Sequence, residues 1–246
     1  MPRRPRKATV KRDRPMREGA RGTDSKVSRA DTVYRGLRRA IIEQALSPGT
    51  KLPEDLVGTR FGVSRTIVRA ALARLAAESL VELHLNRGAT VAHPSLDEAH
   101  DVFDIRRSLE RLVVERLAGR LSRADLARLK QHVAAEEQGR GGAESIRLAG
   151  EFHMLLAELA GSSTLSRYVG ELISRSSLIL AIYGRPHSPD CAVTEHREII
   201  DALVRGDTAV VTGLMDRHLD AIIGRALIAP PPRRDISDIL SDYAAE

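Results

Sequence analysis

The sequence predicts a mainly α-helical protein in two parts: an N-terminal winged helix-turn-helix over residues 29–93 and a C-terminal antiparallel all-α bundle over residues 95–229. Three observations carry this expectation. The chain of 246 residues exceeds the usual single-domain length and can supply two cores. Its first third reads helix, helix, tight turn, helix, hairpin. Beyond Pro94 come six helical stretches in succession with no convincing strand.

The first helix follows from Val33, Leu37, Ile41 and Ala45, spaced by four, with Ser47-Pro48-Gly49 as its stop. A short second helix fits Glu54 to Arg60, and Gly62 suits the left-handed C-cap that ends it. Ser64 is placed to N-cap a third helix running through Glu78. On it Val68, Leu72 and Leu75 form an apolar stripe, while Arg65, Thr66 and Arg69 share another side. Leu80 to Leu83 and Ala89 to Val91, joined through His84-Leu85-Asn86-Arg87-Gly88, read as a β-hairpin with Arg87 at its tip.

In the bundle, Ser95-Leu96-Asp97-Glu98 reads as a capping box opening a helix to about residue 120. Ser122 opens the next, through about Gln138. Further helices are expected from Ala143 to Gly161, Ser163 to Tyr183, Ala192 to Arg205 and Thr208 to Ile228, with Pro186, Pro189 and Gly206 as breaks. The tail 230–246 is expected to be loosely held.

Charge is unevenly spread. Residues 1–28 hold ten Lys/Arg against three acidic groups, a net +7; residues 29–95 hold ten against six, a net +4; the remainder carries −5 of the overall +6. Positive potential therefore sits in the N-terminal third, as expected for contact with nucleic acid. Segment 1–28 has too few large apolar residues to bury a core and reads as a disordered basic arm, either a phosphate-binding extension or a solvated tail. The apolar share of 42% is that of a globular chain. No apolar run long enough for a bilayer and no signal-peptide segment are visible, so a soluble cytoplasmic protein is expected. The single Cys191 makes neither an internal disulfide nor a thiolate metal site.

Two residue sets suggest chemistry. Arg65 and Arg69 flank Thr66 near a helix start, where guanidinium groups can pair bidentately with guanine in a major groove; a solvated helix face is the alternative. His153, His196 and His218 lie on three different predicted helices and can converge inside a bundle on a metal or ligand, or remain separate surface residues. Arg106 and Arg175 are weaker candidates for an acidic ligand, salt bridges being the alternative. A three-histidine metallohydrolase or oxygenase is chemically conceivable, but no HExxH pair, phosphate-binding glycine loop or nucleotide motif accompanies the histidines. An architectural DNA-binding protein would leave the helical half without a role.

The run Gly62-Val63-Ser64-Arg65-Thr66-Ile67-Val68-Arg69-Ala70-Ala71-Leu72, followed by Leu75, Glu78, Leu80-Val81 and Asn86-Arg87-Gly88, resembles the signature of the GntR family of bacterial transcriptional regulators. The resemblance implies DNA contacts at Ser64, Arg65, Thr66 and Arg69, and a wing at Arg87 and Gly88. Two positions depart from the family pattern: Ile67 stands for the usual proline, and Asp55 for the usual arginine after the helix-two glutamate. Arg106…Leu109-Glu110, Phe152-His153…Leu159-Ala160-Gly161, Glu195-His196-Arg197…Ala202-Leu203 and Met215…His218-Leu219 are similar to the FCD effector domain of the FadR-like subfamily. That resemblance implies a divalent metal ion such as zinc on His153, His196 and His218, with the customary fourth ligand position occupied by Ala149. It also implies a small organic-acid effector, a homodimer on a roughly palindromic stretch of double-stranded DNA, and repression relieved by ligand.

Overall fold

The computed structural model describes residues 28–84, 88–139, 142–184, 190–224 and Ile236. The first helix, α1 (Arg29–Ile42), starts earlier than the apolar spacing predicts because Ser28 caps it, its Oγ accepting from the Asp31 backbone N–H at 3.1 Å. It also ends earlier, with Gln44 at a left-handed φ of 60°. Then follow β1 (Lys51–Leu52), α2 (Glu54–Phe61), α3 (Arg65–Ala77), β2 (Val81–His84) and β3 (Gly88–Val91). Gly62 closes α2 at φ 63°, as its sequence position predicts.

The three strands form an antiparallel sheet in the order β1-β3-β2, with Leu52 opposite Ala89 and Val81 opposite Val91. The two residues of β1 are too few to show a period-2 pattern, so this strand was not among the expected elements. Ala89 and Val91 turn inward to Val33, Leu37, Ile41, Leu72 and Leu75 in one apolar core. Burying each of these larger side chains contributes about 1.5–3 kcal/mol. Two polar contacts fix α1 on α3: Tyr34 donates its hydroxyl to Glu78, and Arg38 Nε donates to the same carboxylate at 3.0 Å. Burial, reinforced by Glu78, pushes the Tyr34 hydroxyl up to about 12, so it stays a donor.

The second unit comprises α4 (Leu96–Leu117), α5 (Arg123–Gln138), α6 (Ala143–Leu159), α7 (Ser163–Tyr183), α8 (Asp190–Arg205) and α9 (Thr208–Gly224). Helix α4 packs on α7 and α9, α6 lies against α5, α7 and α4, and α8 against α5 and α9. Val114, Phe152, Leu156, Ile199, Leu203, Met215 and Leu219 are all buried in the common core. Ser122 caps α5 as expected, and the structure completes a capping box there, with Asp125 answering the Ser122 backbone. The one at Ser95 is half made. Ser95 Oγ accepts from the Glu98 N–H, but the Glu98 carboxylate turns to Arg175 on α7.

That diversion belongs to the seam between the units. Arg175 also donates to the Ser79 carbonyl at 2.7 Å, Arg38 donates to Ser174 Oγ at 3.0 Å, and Arg147 Nε donates to Glu43 at 3.1 Å. Leu178 of α7 and Ile236 pack against the core of the first unit. The basic arm (1–27), the wing tip at Leu85, Asn86 and Arg87, and the rest of the 230–246 tail lie outside the described residues.

Candidate functional site

Helix α3 exposes its first turns. Ser64, Arg65, Thr66 and Arg69 are all exposed, while Val68, Ala71, Leu72 and Leu75 of the same helix are buried. Ser64 holds the N-cap backbone conformation but makes no capping bond with its side chain. The two guanidinium groups are not simply solvated. Arg69 Nε donates to both carboxylate oxygens of Glu54 at 2.9 Å, and Arg65 Nε pairs with Asp55. Gly88, at φ 78°, starts β3 opposite His84 and borders the same cleft of about 720 Å³ as these arginines.

The three sequence-selected histidines converge. His153 (α6), His196 (α8) and His218 (α9) are buried, and one potential ligand atom from each lies within 4.8 Å of the others. His218 Nε2 stands 3.0 Å from His153 Nε2 and 3.3 Å from His196 Nε2. Nitrogens about 2.0–2.1 Å from a common zinc ion sit about 2.9–3.4 Å from their neighbours, so the spacing fits a shared cation.

The far side of each ring is also built. His153 Nδ1 faces Glu110, His196 Nδ1 faces Glu136 at 2.9 Å, and His218 Nδ1 faces Glu195 at 2.6 Å. A carboxylate behind each Nδ1 favours the tautomer that donates from Nδ1, leaving the Nε2 lone pairs on the side where the rings meet. Lone pairs so placed repel each other, and a cation between them reverses the sign. The donor set therefore suits a divalent metal ion. Ala149, one turn before His153, offers no donor, so three imidazoles would leave coordination places open.

Burial drives the charges here. It pushes His153 down to about 3, with Arg106 adding to the effect against Glu110, and pushes His196 well below its ordinary range. Both rings are therefore neutral, as metal ligands must be. Burial also raises Glu110, but Arg106 and His153 outweigh it and hold that carboxyl at about 2. Burial lifts Glu136 to about 7, against the opposing pull of His132 and His218. Phe152 stacks on His196 with ring centroids 3.8 Å apart, closing one wall.

Of the two arginines considered for an acidic ligand, Arg106 is at the site but its guanidinium is taken by Glu110. Arg175 is elsewhere, on the seam with Glu98 and Ser79. The three supporting carboxylates were not singled out from sequence. Glu136 did carry a signal, since it continues the buried stripe of Leu129 and Val133 on α5, where an acid is out of place. Glu195 adjoins His196 in the chain yet serves His218.

A family profile described as bacterial regulatory proteins, gntR family, matches residues 29–91, and one described as FCD domain matches residues 101–221. An HTH-type transcriptional regulator in an unstable DNA locus of Streptomyces ambofaciens is 30% identical over 207 residues, 81% of this chain and 85% of that one. The chain belongs to the GntR family. This GntR regulator is also 27% identical over 194 residues to the HTH-type transcriptional repressor RspR of Escherichia coli K12, covering 77% of this chain and 85% of that protein. Among solved structures, a GntR transcriptional regulator from Rhodococcus sp. RHA1 matches with TM-score 0.63 and 28% identity over 80% of this chain and 98% of that one. McbR/YncC of E. coli shares the fold at TM-score 0.69 and 22% identity, over 80% of this chain and 96% of that one. The winged helix-turn-helix thus makes the chain a DNA-binding transcriptional regulator with an FCD domain, and its relatives point away from catalysis. Among the described residues no helix is long and apolar enough to cross a membrane.

Proposed function

We propose that this GntR regulator is a cytoplasmic repressor that binds a roughly palindromic operator as a homodimer and responds to a small organic acid at the histidine site of its FCD domain. Residues 29–93 would read DNA, residues 95–229 would sense the effector and dimerise, and the basic arm 1–28 would add phosphate contacts. Ser64, Arg65, Thr66 and Arg69 would enter the major groove, with Arg87 and Gly88 at the wing. The observation that carries the sensor half is the convergence of three Nε2 atoms with a carboxylate behind every Nδ1.

His153, His196 and His218 would hold the divalent ion, zinc being suited to an all-imidazole set. The ion supplies positive charge and open coordination places for an effector carboxylate. Glu110, Glu136 and Glu195 orient the rings, and Arg106 keeps Glu110 ionised. Capture of the acid by Arg106 without metal is disfavoured because that guanidinium already has a partner. Ligand can regulate only by favouring one arrangement of the two units over another, and a coupling of ~1–3 kcal/mol suffices.

The test is selection of DNA fragments by the full-length protein with Zn²⁺, with a chelator and with a panel of organic acids, alongside elemental analysis of the protein and of a His153→Ala, His196→Ala, His218→Ala variant. The expected result is a two-fold symmetric selected sequence, about stoichiometric metal lost in the variant, and operator release by an acid only when metal is present. A wild-type protein without metal after growth in zinc, or selection of no sequence, overturns the reading.

A further inference from the structure

Asp55 stands at the start of α2 beside the exposed face of α3, and an anion at a DNA-facing position ought to weaken binding through phosphate repulsion. The structure gives it a partner instead. Asp55 Oδ1 pairs with Arg65 Nε, both side chains remaining 66% exposed, and one residue earlier Glu54 takes Arg69 Nε with both oxygens. Consecutive carboxylates at the start of α2 thus reach arginines one turn apart on α3.

Which nitrogen is taken matters. Guanine presents O6 and N7 side by side, and a guanidinium can meet them with its terminal Nη1 and Nη2 or with Nε and one Nη. A carboxylate on Nε closes the second mode and leaves the terminal pair for the first. The geometry points to Asp55 as a specificity-determining positioning residue: it holds Arg65 end-on toward a guanine and, by its charge, weakens phosphate binding to every sequence alike. Sequence-independent affinity falls while base discrimination is kept, which raises the ratio of operator to bulk DNA binding. The exposed pair adds little to folding, so its loss reads on DNA. The inference rests on the proposed groove docking of α3.

The experiment compares full-length wild type with Asp55→Ala, Asp55→Asn, Arg65→Ala and the Asp55→Ala/Arg65→Ala double variant, in DNA selection and in titrations of selected and scrambled duplexes over a salt series. Thermal midpoints monitor folding. Asp55→Ala is expected to bind scrambled DNA several-fold more tightly and to lose about tenfold in preference for the base pair that Arg65 reads. Asp55→Asn, which retains an acceptor for Nε–H without charge, keeps that preference but shares the tighter scrambled binding. The double variant matches Arg65→Ala in base preference. If Arg65→Ala loses the preference and Asp55→Ala retains it undiminished, Asp55 positions nothing and the inference falls. If Arg65→Ala itself selects the wild-type sequence, the docking reading fails and this inference with it.

Discussion

Cations meet carboxylates at both ends of this molecule, and the two regions treat the pairing oppositely. On α3 the Arg65–Asp55 pair leaves 66% of each side chain in solvent, whereas Arg106 and Glu110 in the bundle expose 4% and 2%. In water an ion pair is cheap to open, because hydration replaces the partner. An arginine so held is oriented on one side and open to solvent on the other. In the bundle these groups are buried, so opening the Arg106–Glu110–His153 chain strands a charge. The difference separates a surface pair that orients a solvent-facing guanidinium from a site built to keep three rings fixed.

The largest expected effect tests the buried side. Glu110→Ala leaves the Arg106 guanidinium buried without compensation and removes the acceptor of His153 Nδ1, so a loss of about 3–5 kcal/mol in unfolding free energy is expected from urea titration in the presence of chelator. Asp55→Ala should leave the same midpoint in place. Equal midpoints for the two variants would erase the contrast.

Metal affinity sharpens it next. Glu136→Gln keeps the size of the side chain behind His196 but weakens its hold on Nδ1–H, and a supporting residue of this kind typically changes affinity by about 10–100-fold. Competition with a chromophoric chelator measures it. Unchanged zinc affinity would mean that Phe152 stacking alone orients His196, and that the carboxylates are packing rather than support.

Much of this was legible beforehand for a physical reason: helix ends and apolar stripes are local. Ser122 as a helix cap, Gly62 at the end of α2, and Val68, Leu72 and Leu75 as one stripe all depend on neighbours within a turn or two. The histidine trio could be named from its placement on separate helices and its likeness to FCD motifs. What escaped is what crosses elements. Glu110 reaches His153 from 43 residues away and Glu136 reaches His196 from 60, distances at which helical periodicity is silent. The Ser95 box looked complete because nothing near it announces that Arg175, 77 residues on, claims Glu98. The burial of Arg106 escaped on the same ground, since its spacing to Glu110 allowed an intrahelical pair but did not reveal that both would be buried.

The smallest expected effect lies between the two regions. Helix α6 carries His153 and, two turns earlier, Arg147, whose Nε donates to Glu43 beyond the end of α1 while Nη1 donates to Glu151 at 2.9 Å. Helix α1 is itself fastened to α3 through Tyr34, Arg38 and Glu78. A shift of α6 on occupation of the buried histidine site therefore meets α1 first at Arg147, and α1 cannot move without pulling on the DNA-reading helix. Arg147→Ala should cost folding about 1 kcal/mol or less, since Arg147 is partly exposed and its acids keep solvent access or other partners. Its effect should appear instead in the ratio of operator dissociation constants with and without Zn²⁺ and acid, reduced by ~0.5–2 kcal/mol. Linkage demands the same reduction in the effect of operator DNA on metal affinity, which gives a second reading of one number. Should both ratios match wild type, Arg147 merely packs the seam, and the coupling must run through Arg38–Ser174 or Arg175–Glu98 instead.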